Sequence, residues 1–272
     1  WLNRGTLHLV RRADYPWLHA LTTPRLATGS ARRLAQEGVT PAAAERGVAA
    51  IEAALAEDGP LTRDELAARV AAAGVRTEGQ ALVHQLVLAT LRGLIVRGPM
   101  RGPKHAFVLV RDWLGEPEPV DRDRALAELA RRYLAGHAPA DERDLAKWAG
   151  LPLRDARAGL SAIARELHER EDGLVEPAGR PATAEPPPPR LLGAFDPLLH
   201  GWRSREPVLA SHAGRVVSGG LFRPFALADG RAVATWRLVR GDVELEPFAP
   251  LPRRVEAALE ADAADVVRFL RR

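Results

Sequence analysis

Leu61-Thr62-Arg63-Asp64-Glu65-Leu66, closing on Gly74, then Thr77-Glu78-Gly79-Gln80 running on to Gly93-Leu94-Ile95-Val96, is the stretch whose reading decides the fold. Thr62 with Glu65 three residues on is a capping box, in which each side chain satisfies the other residue's free N–H. The helix it starts carries Leu66 and Val70 and stops at Gly74, a residue suited to a left-handed terminator. Thr77 with Gln80 predicts a second capping box. The helix behind it puts Val83, Leu86, Val87, Thr90, Leu91 and Leu94 on one face. Upstream, Thr40 and Pro41 read as the N-cap and first position of a helix over 41–57, with Val48, Ile51 and Leu55 at buried spacing. Downstream, Gly98-Pro99-Met100-Arg101-Gly102-Pro103 is rich in turn residues, and Ala106 to Val110 reads as an apolar strand.

Helix, short helix, turn, helix and hairpin is the order of a winged helix-turn-helix. From Gly79 to Arg111 there is no acidic residue, while Arg92, Arg97, Arg101, Lys104 and Arg111 are basic. A hairpin so charged suits a phosphate backbone, because each neutralised phosphate releases a counterion. Arg97, Arg101 and Lys104 are therefore candidate DNA contacts; the bland reading is that arginine decorates any exposed turn of this chain. As a transcriptional regulator, the unit would read a major groove through the helix from Thr77 to Gly93, which offers only Gln80, His84, Gln85 and Arg92 for the purpose.

Residues 122–170 repeat the plan. Leu126, Leu129, Ala130, Tyr133 and Leu134 form an apolar stripe, Asp144 to Gly150 is a short helix ended by glycine, and Leu153 to Leu167 reads as another helix. Trp148, beside Leu145 and Leu151, reads as core. Ala178 to Arg190, with Pro181 and Pro186 to Pro189, is a polyproline linker or surface strap. The remainder changes character. Arg215-Val216-Val217, Leu221 to Leu227 and Ala232 to Leu238 read as strands, with turns at Ser218-Gly219-Gly220, Asp229-Gly230 and Arg240-Gly241-Asp242. Arg253 to Leu270 reads as a closing helix. The fold class is mainly α with β (α+β): tandem winged helix-turn-helix units, then a small C-terminal antiparallel β-rich domain closed by a helix.

Composition narrows the chemistry. The chain has 272 residues, enough for about two domains of ordinary size, and 46% of them are apolar. With 39 basic and 35 acidic residues the net charge is +4, and only Lys104 and Lys147 are lysines. There is no cysteine, which excludes disulfides, cysteine–metal sites and thiol catalysis and fits a reducing cytoplasm. No apolar run approaches the length of a membrane span. The eight histidines are scattered, so no metal site is expected. No Gly-x-Ser-x-Gly elbow and no phosphate-binding glycine loop occur, so neither a serine hydrolase nor a nucleotide cofactor is expected. Asp196, before Pro197, is either an acid catalyst or, the reading preferred here, a turn initiator through its own side chain.

Three stretches carry a resemblance. Trp1-Leu2-Asn3-Arg4-Gly5-Thr6-Leu7-His8-Leu9-Val10 reads as a strand with Arg4 and His8 on one side. Arg190-Leu191-Leu192-Gly193-Ala194-Phe195-Asp196-Pro197-Leu198-Leu199-His200-Gly201-Trp202-Arg203-Ser204-Arg205 is the second. Val216 to Phe225, followed by Asp229-Gly230-Arg231 and Ala234-Thr235-Trp236, is the third. Together they resemble the AlkZ-like winged-helix DNA glycosylases, over the whole chain. The resemblance implies three tandem winged-helix units and a β-rich domain around a basic concave surface that holds double-stranded DNA, and excision of alkylated or crosslinked purines.

On that reading residues 1–30 are the remnant of a first winged-helix unit, 31–118 a second with its wing at 94–111, and 119–180 a third. Residues 181–190 are the linker and 191–272 the β-rich domain. The partner is damaged or alkylated duplex DNA, bound by a monomer in the bacterial cytoplasm, with no membrane and no cofactor. The candidate contacts are Arg4, His8, the three wing cations, Arg203, Arg205, Arg215, Ser218, Gly219, Gly220, Phe222 and Arg223. In the hairpin, Leu221 and Phe222 either wedge against bases or belong to the sheet core.

The family's catalytic motif is Gln–hydrophobic–Gln or Gln–hydrophobic–Asp, upstream of the Arg-Gly-Thr strand. The glutamines here are Gln36, Gln80 and Gln85, and none begins such a triplet, so no residue of this sequence inherits the catalytic role. The implied chemistry needs no acid–base pair. An N7-alkylated purine is cationic and leaves neutral, so the site has only to stabilise a cationic sugar and place a water.

Overall fold

Prolines set the first helices. Pro16 and Pro24 stand in the opening turns of α1 (Tyr15–Thr22) and α2 (Pro24–Gln36), where a missing N–H costs nothing. The computed structural model describes residues 1–116, 119–181 and 185–271; the expected linker at 181–190 falls partly outside them. Ahead of α1 the sequence reading fails. Residues 1–10 form no strand, because Arg4 (φ 54°) and Gly5 (φ 75°) are both left-handed and the chain folds back, with Leu2 N donating to Thr6 O at 3.1 Å. The turn buries Leu2 against Tyr15 and Val110 and leaves Leu7 and Leu9 in solvent.

Helix α3 (Pro41–Asp58) starts as its sequence says, the Thr40 hydroxyl accepting from Ala43 N at 3.2 Å. The short strand β1 (Leu61–Thr62) leads into α4 (Arg63–Ala72). There the capping box is complete: Thr62 N donates to Glu65 Oε2 at 2.7 Å and the Thr62 hydroxyl accepts from Glu65 N. The second expected box does not form. Helix α5 (Ala81–Leu91) has no side-chain cap of its own; Glu37, beyond the end of α2, accepts from Gln80 N at 3.1 Å. A distant carboxylate has replaced the local cap, a choice no local pattern announces.

Strands β2 (Ile95–Arg101) and β3 (Lys104–Leu109) then form a hairpin longer than the sequence suggested, and the three strands pair in the order β1-β3-β2. Only Gly102 and Pro103 are left for its turn, with Gly102 (φ 61°) supplying the positive φ a two-residue loop requires. The turn-like Gly98-Pro99 is instead an irregularity inside β2. A Cβ at Gly98 would meet Val108 at 2.7 Å, and the register shifts between Arg97 and Met100. Ile51, Leu55, Leu66, Leu86, Ile95 and Leu109 are fully buried together. Each such side chain contributes about 1.5–3 kcal/mol of burial.

The short α6 (Val110–Leu114) is followed by α7 (Arg122–His137), α8 (Glu142–Ala149) and α9 (Leu153–Ala162). The helix expected to reach Leu167 ends early: β4 (Leu167–Glu169) pairs with β5 (Val175–Pro177), and ladder bonds there take the backbone groups a helix would need. Gly159 lets α9 touch α7, since a Cβ would lie 2.6 Å from Leu126 O.

The chain divides into two compact units, Trp1–Ala130 with Ala149–Ile163, and Arg131–Trp148 with Ala164–Arg272. The second unit holds the C-terminal sheet. After β6 (Arg190–Leu192) come two short helices, α10 (Glu206–Leu209) and α11 (Ala213–Val216). Arg215 and Val216 are thus helical, not a strand. Next are the hairpin β7 (Val217–Ser218) and β8 (Leu221–Phe222), then β9 (Phe225–Ala228), β10 (Arg231–Val239), β11 (Asp242–Pro247) and α12 (Arg253–Leu270).

The antiparallel sheet runs β11-β10-β9-β6. Residues of β9 alternate between its faces. Phe225 and Leu227 pack with Leu199, Leu209 and Val216, whereas Ala226 and Ala228 pack with Val255 and Leu259 of α12. The mixed α and β architecture is the one the sequence predicts. No described helix is long and apolar enough to cross a membrane, and no described group of His, Asp and Glu residues could hold a metal ion.

Candidate nucleic-acid interface

Four cations of the β2–β3 region look unopposed in the sequence, and folding opposes them. Lys104 Nζ lies 2.5 Å from Asp64, Arg101 donates to Glu65 at 3.2 Å and to Pro60 O at 2.9 Å, Arg92 meets Glu45 at 2.7 Å, and Arg111 meets Glu52 at 2.8 Å. The acids sit on α3 and α4, whose faces abut the hairpin. The hydrogen bond and charge of Lys104 hold the Asp64 carboxyl below its ordinary range, and Asp64 raises Lys104 in return. Such exposed pairs contribute little to stability and are screened by salt, so a phosphate can displace the carboxylate.

Arg97 is placed differently. Its guanidinium lies over the rings of Trp1 (5.5 Å) and Phe107 (5.9 Å). It lines a cleft of about 470 Å³ with Trp1, His8, Tyr15, His105 and Trp113. The cleft thus joins two residues singled out from sequence, His8 and Arg97. Tyr15 Oη is buried there without a hydrogen-bond partner among the described residues, and burial pushes its pKa up to about 12. Arg4 is exposed in its left-handed turn, and His8 Nδ1 donates to Thr6 O at 3.0 Å.

In the second unit, Arg203 and Arg205 ride on a firmly anchored loop. Tyr133 Oη donates to Gly201 O at 2.9 Å, Trp202 Nε1 to Pro139 O at 3.0 Å, Arg203 N to Asp144 Oδ1 at 2.7 Å and Lys147 Nζ to Arg203 O at 3.0 Å. The rings of Tyr133, His137, Trp148 and Trp202 pack behind it. Trp148, read from sequence as core, is half-buried within that cluster. No sequence pattern pointed to this anchor, because its members lie on α7, α8 and a distant loop. Asp196 accepts from Leu198 N at 2.9 Å and caps a turn, the role preferred from sequence.

The β7–β8 hairpin divides its candidates by exposure. Gly219 (φ 57°) and Gly220 (φ 82°) form its tip, with the positive φ at both central positions that a type I′ hairpin turn uses, and no atom lies within 4 Å of an added Cβ. Ser218 and Leu221 flank the tip, and Leu221 is 71% exposed. Phe222 faces inward on the sheet core, with the Arg205 guanidinium 5.0 Å over its ring. Arg205 Nε also donates to Leu199 O at 2.8 Å. Arg215 lies 4.5 Å over Phe248 and pairs with Glu246 at 3.4 Å, and Arg223 N closes the hairpin on Val216 O at 2.8 Å. The exposed aromatic beside the hairpin is Phe195, which sequence reading missed; its signal was the Asp196-Pro197 turn that follows it.

Two half-buried histidines are held toward their neutral forms. Burial lowers the pKa of His19, opposed by its bond to Thr90 O, and of His137, opposed by its bond to Tyr133 O. A base held below its unfolded value favours the neutral form. Its stabilisation is therefore complete above about pH 7 and is lost as pH falls below the unfolded value near 6.5. The melting temperature is expected to fall between pH 7 and 5, before carboxylates titrate, and to fall less in His137→Phe. An equal fall in that variant would show that His137 plays no part.

The comparisons agree with this architecture. The profile of the DNA glycosylase AlkZ-like family matches residues 1–269. An interstrand DNA cross-link repair glycosylase of Streptomyces sahachiroi is 31% identical over 298 residues, covering 98% of this chain and 77% of that protein. The solved structure of the Streptomyces sahachiroi DNA glycosylase AlkZ superposes with a TM-score of 0.77 at 27% identity, covering 98% of this chain and 77% of that one. The resemblance read from three short stretches thus extends over the whole sequence and the backbone, and the chain belongs to the AlkZ-like DNA glycosylase family.

Proposed function

We propose that this chain binds double-stranded DNA carrying alkylated or crosslinked purines, acting in DNA repair as a monomer in the bacterial cytoplasm, without metal or nucleotide cofactor. The β7–β8 hairpin carries the reading. An exposed Leu221 beside two unobstructed glycines is a slim apolar wedge, the device that minor-groove proteins insert into a distorted duplex. Around it Arg203, Arg205, Arg215 and Arg223 supply phosphate contacts. In the first unit, α3, α4, α5 and the β2–β3 hairpin are read as a winged helix, with Arg97, Arg101 and Lys104 on its wing and Arg4 and His8 nearby.

A sequence-reading regulator is the weaker alternative. Helix α5 has no exposed residue, Gln85 is fully buried with Nε2 donating to Arg76 O at 3.0 Å, and Arg92 is held by Glu45. Little is left to touch base edges. Since none of Gln36, Gln80 and Gln85 begins the catalytic triplet, the reading assigns these 272 residues binding without base release.

Fluorescence anisotropy with an N7-methylguanine duplex and its unmodified counterpart tests this. The modified duplex is expected to bind more tightly, with log K falling linearly in log salt. Asp64→Asn, which releases Lys104, is expected to steepen the slope by about 0.9. Salt-insensitive association, or nanomolar preference for one intact sequence, would refute the reading. Release of methylguanine by these residues would refute the assignment of binding alone.

A further inference from the structure

We infer that Phe195 is a base-stacking residue, presenting its ring to a nucleobase exposed by distortion of the duplex. The inference rests on the DNA-binding reading above and adds a residue and a ligand to it. Phe195 is 53% exposed, yet its backbone sits at φ 60°, a left-handed conformation that a bulky residue adopts only against a steric penalty. A surface turn selected for stability alone would place glycine or asparagine there.

The strain is held from both sides of the residue. Leu192, three positions earlier, is pinned in the sheet by its pairing with Phe225. Immediately after Phe195, the Asp196 side chain caps Leu198 N, and Leu199 N donates to Asp196 O at 3.0 Å. The ring is also backed. It lies 5.0 Å from Phe222 and nearly parallel to His200, with an interplanar angle of 6°. His200 lies 4.6 Å from Phe222, and Arg205 lies over Phe222 on the same cluster.

Phe222 therefore serves as the support and Phe195 as the presented face. An exposed aromatic ring beside an arginine and an apolar hairpin tip is the combination that takes up unpaired bases. The ring offers a π-face to any base and the cation neutralises the adjoining phosphate.

The test uses a duplex with one 2-aminopurine opposite an abasic position, a fully paired duplex of the same sequence, and thermal melts of each protein. Wild-type protein is expected to prefer the unpaired probe. Phe195→Gly is expected to bind that probe about 5- to 150-fold more weakly, to bind the paired duplex as wild type does, and to keep the wild-type salt slope. Its melting temperature is expected to stay within about 3 °C of wild type, because glycine accepts the left-handed backbone without strain. Phe195→Trp is expected to retain the preference and quench the 2-aminopurine.

Undiminished binding of the unpaired probe by Phe195→Gly, with the wild type still binding DNA, would overturn the stacking role and leave the DNA-binding reading intact. Equal losses on both probes with a lowered melting temperature would make Phe195 a structural residue. Failure of the wild type to bind either duplex would overturn both.

Discussion

Leu66→Ala is expected to lower the stability of the first unit by about 3–5 kcal/mol. Leu66 projects from the first turns of α4 and is fully buried with Ile51, Leu86 and Ile95. Its truncation removes transfer free energy and leaves a cavity that two helices and a hairpin, already packed, cannot close. The same helix provides the internal comparison: Thr62→Ala removes half of the capping box on α4 and is expected to cost only about 1 kcal/mol. Urea denaturation reads both, as a shifted midpoint at unchanged slope. A Leu66→Ala effect no larger than that of Thr62→Ala would mean that α4 is held by its cap and not by its core face. Because the hairpin bearing Arg97, Arg101 and Lys104 pairs with β1 and packs on α4 and α5, the variant is also expected to weaken salt-dependent DNA binding near the melting range.

Gly201→Ala is expected to cost the second unit about 2–4 kcal/mol. An added Cβ would run into the imidazole of His137, meeting Cδ2 first and Nε2 at 3.1 Å. The ring cannot retreat, since it is stacked on Tyr133 at 5.0 Å and flanked by Trp148 at 5.5 Å and Trp202 at 5.3 Å. Relief must come from the loop, and moving it strands the buried Tyr133 hydroxyl and loosens the hold of Asp144 and Lys147 on Arg203. On the proposal that the loop's two arginines contact phosphates, the salt slope is then expected to fall by about 0.9 for each phosphate no longer neutralised. A melting temperature and salt slope equal to those of wild type would show that this loop is free to shift and that its anchoring has no bearing on DNA.

The two cases mark where sequence reading works in this protein. The α3 cap, the capping box of α4, the apolar spacing of α3 and α5 and the closing helix α12 are all local. Their signals lie within a few residues of the structure they cause. So is the β7–β8 turn, which two adjacent glycines permit and other residues resist. The family resemblance rests on similar ground, on three short stretches whose residue order survives whatever surrounds them.

Other features answer to residues far along the chain. Ten alternating residues at the start predict a strand, but a strand needs a partner edge. The chain instead gains more by turning at Arg4-Gly5 to bury Leu2. Residues 77–80 carry a plausible capping box, yet Glu37 takes the Gln80 N–H. A run of basic residues without an acid looks like a bare cationic wing until α3 and α4 bring Glu45, Glu52, Asp64 and Glu65 against it.

Family, fold class and most helix starts were thus legible in the order of residues alone, because capping, turn and periodicity signals act over one or two turns of chain. Which cations pair with carboxylates, that Phe222 supports while Phe195 is presented, and that Trp202 of the Arg203 loop packs on a cluster with His137, Tyr133 and Trp148 emerge only on folding. Charge pairing, burial and ring stacking depend on distances between residues tens of positions apart, and packing sets those distances.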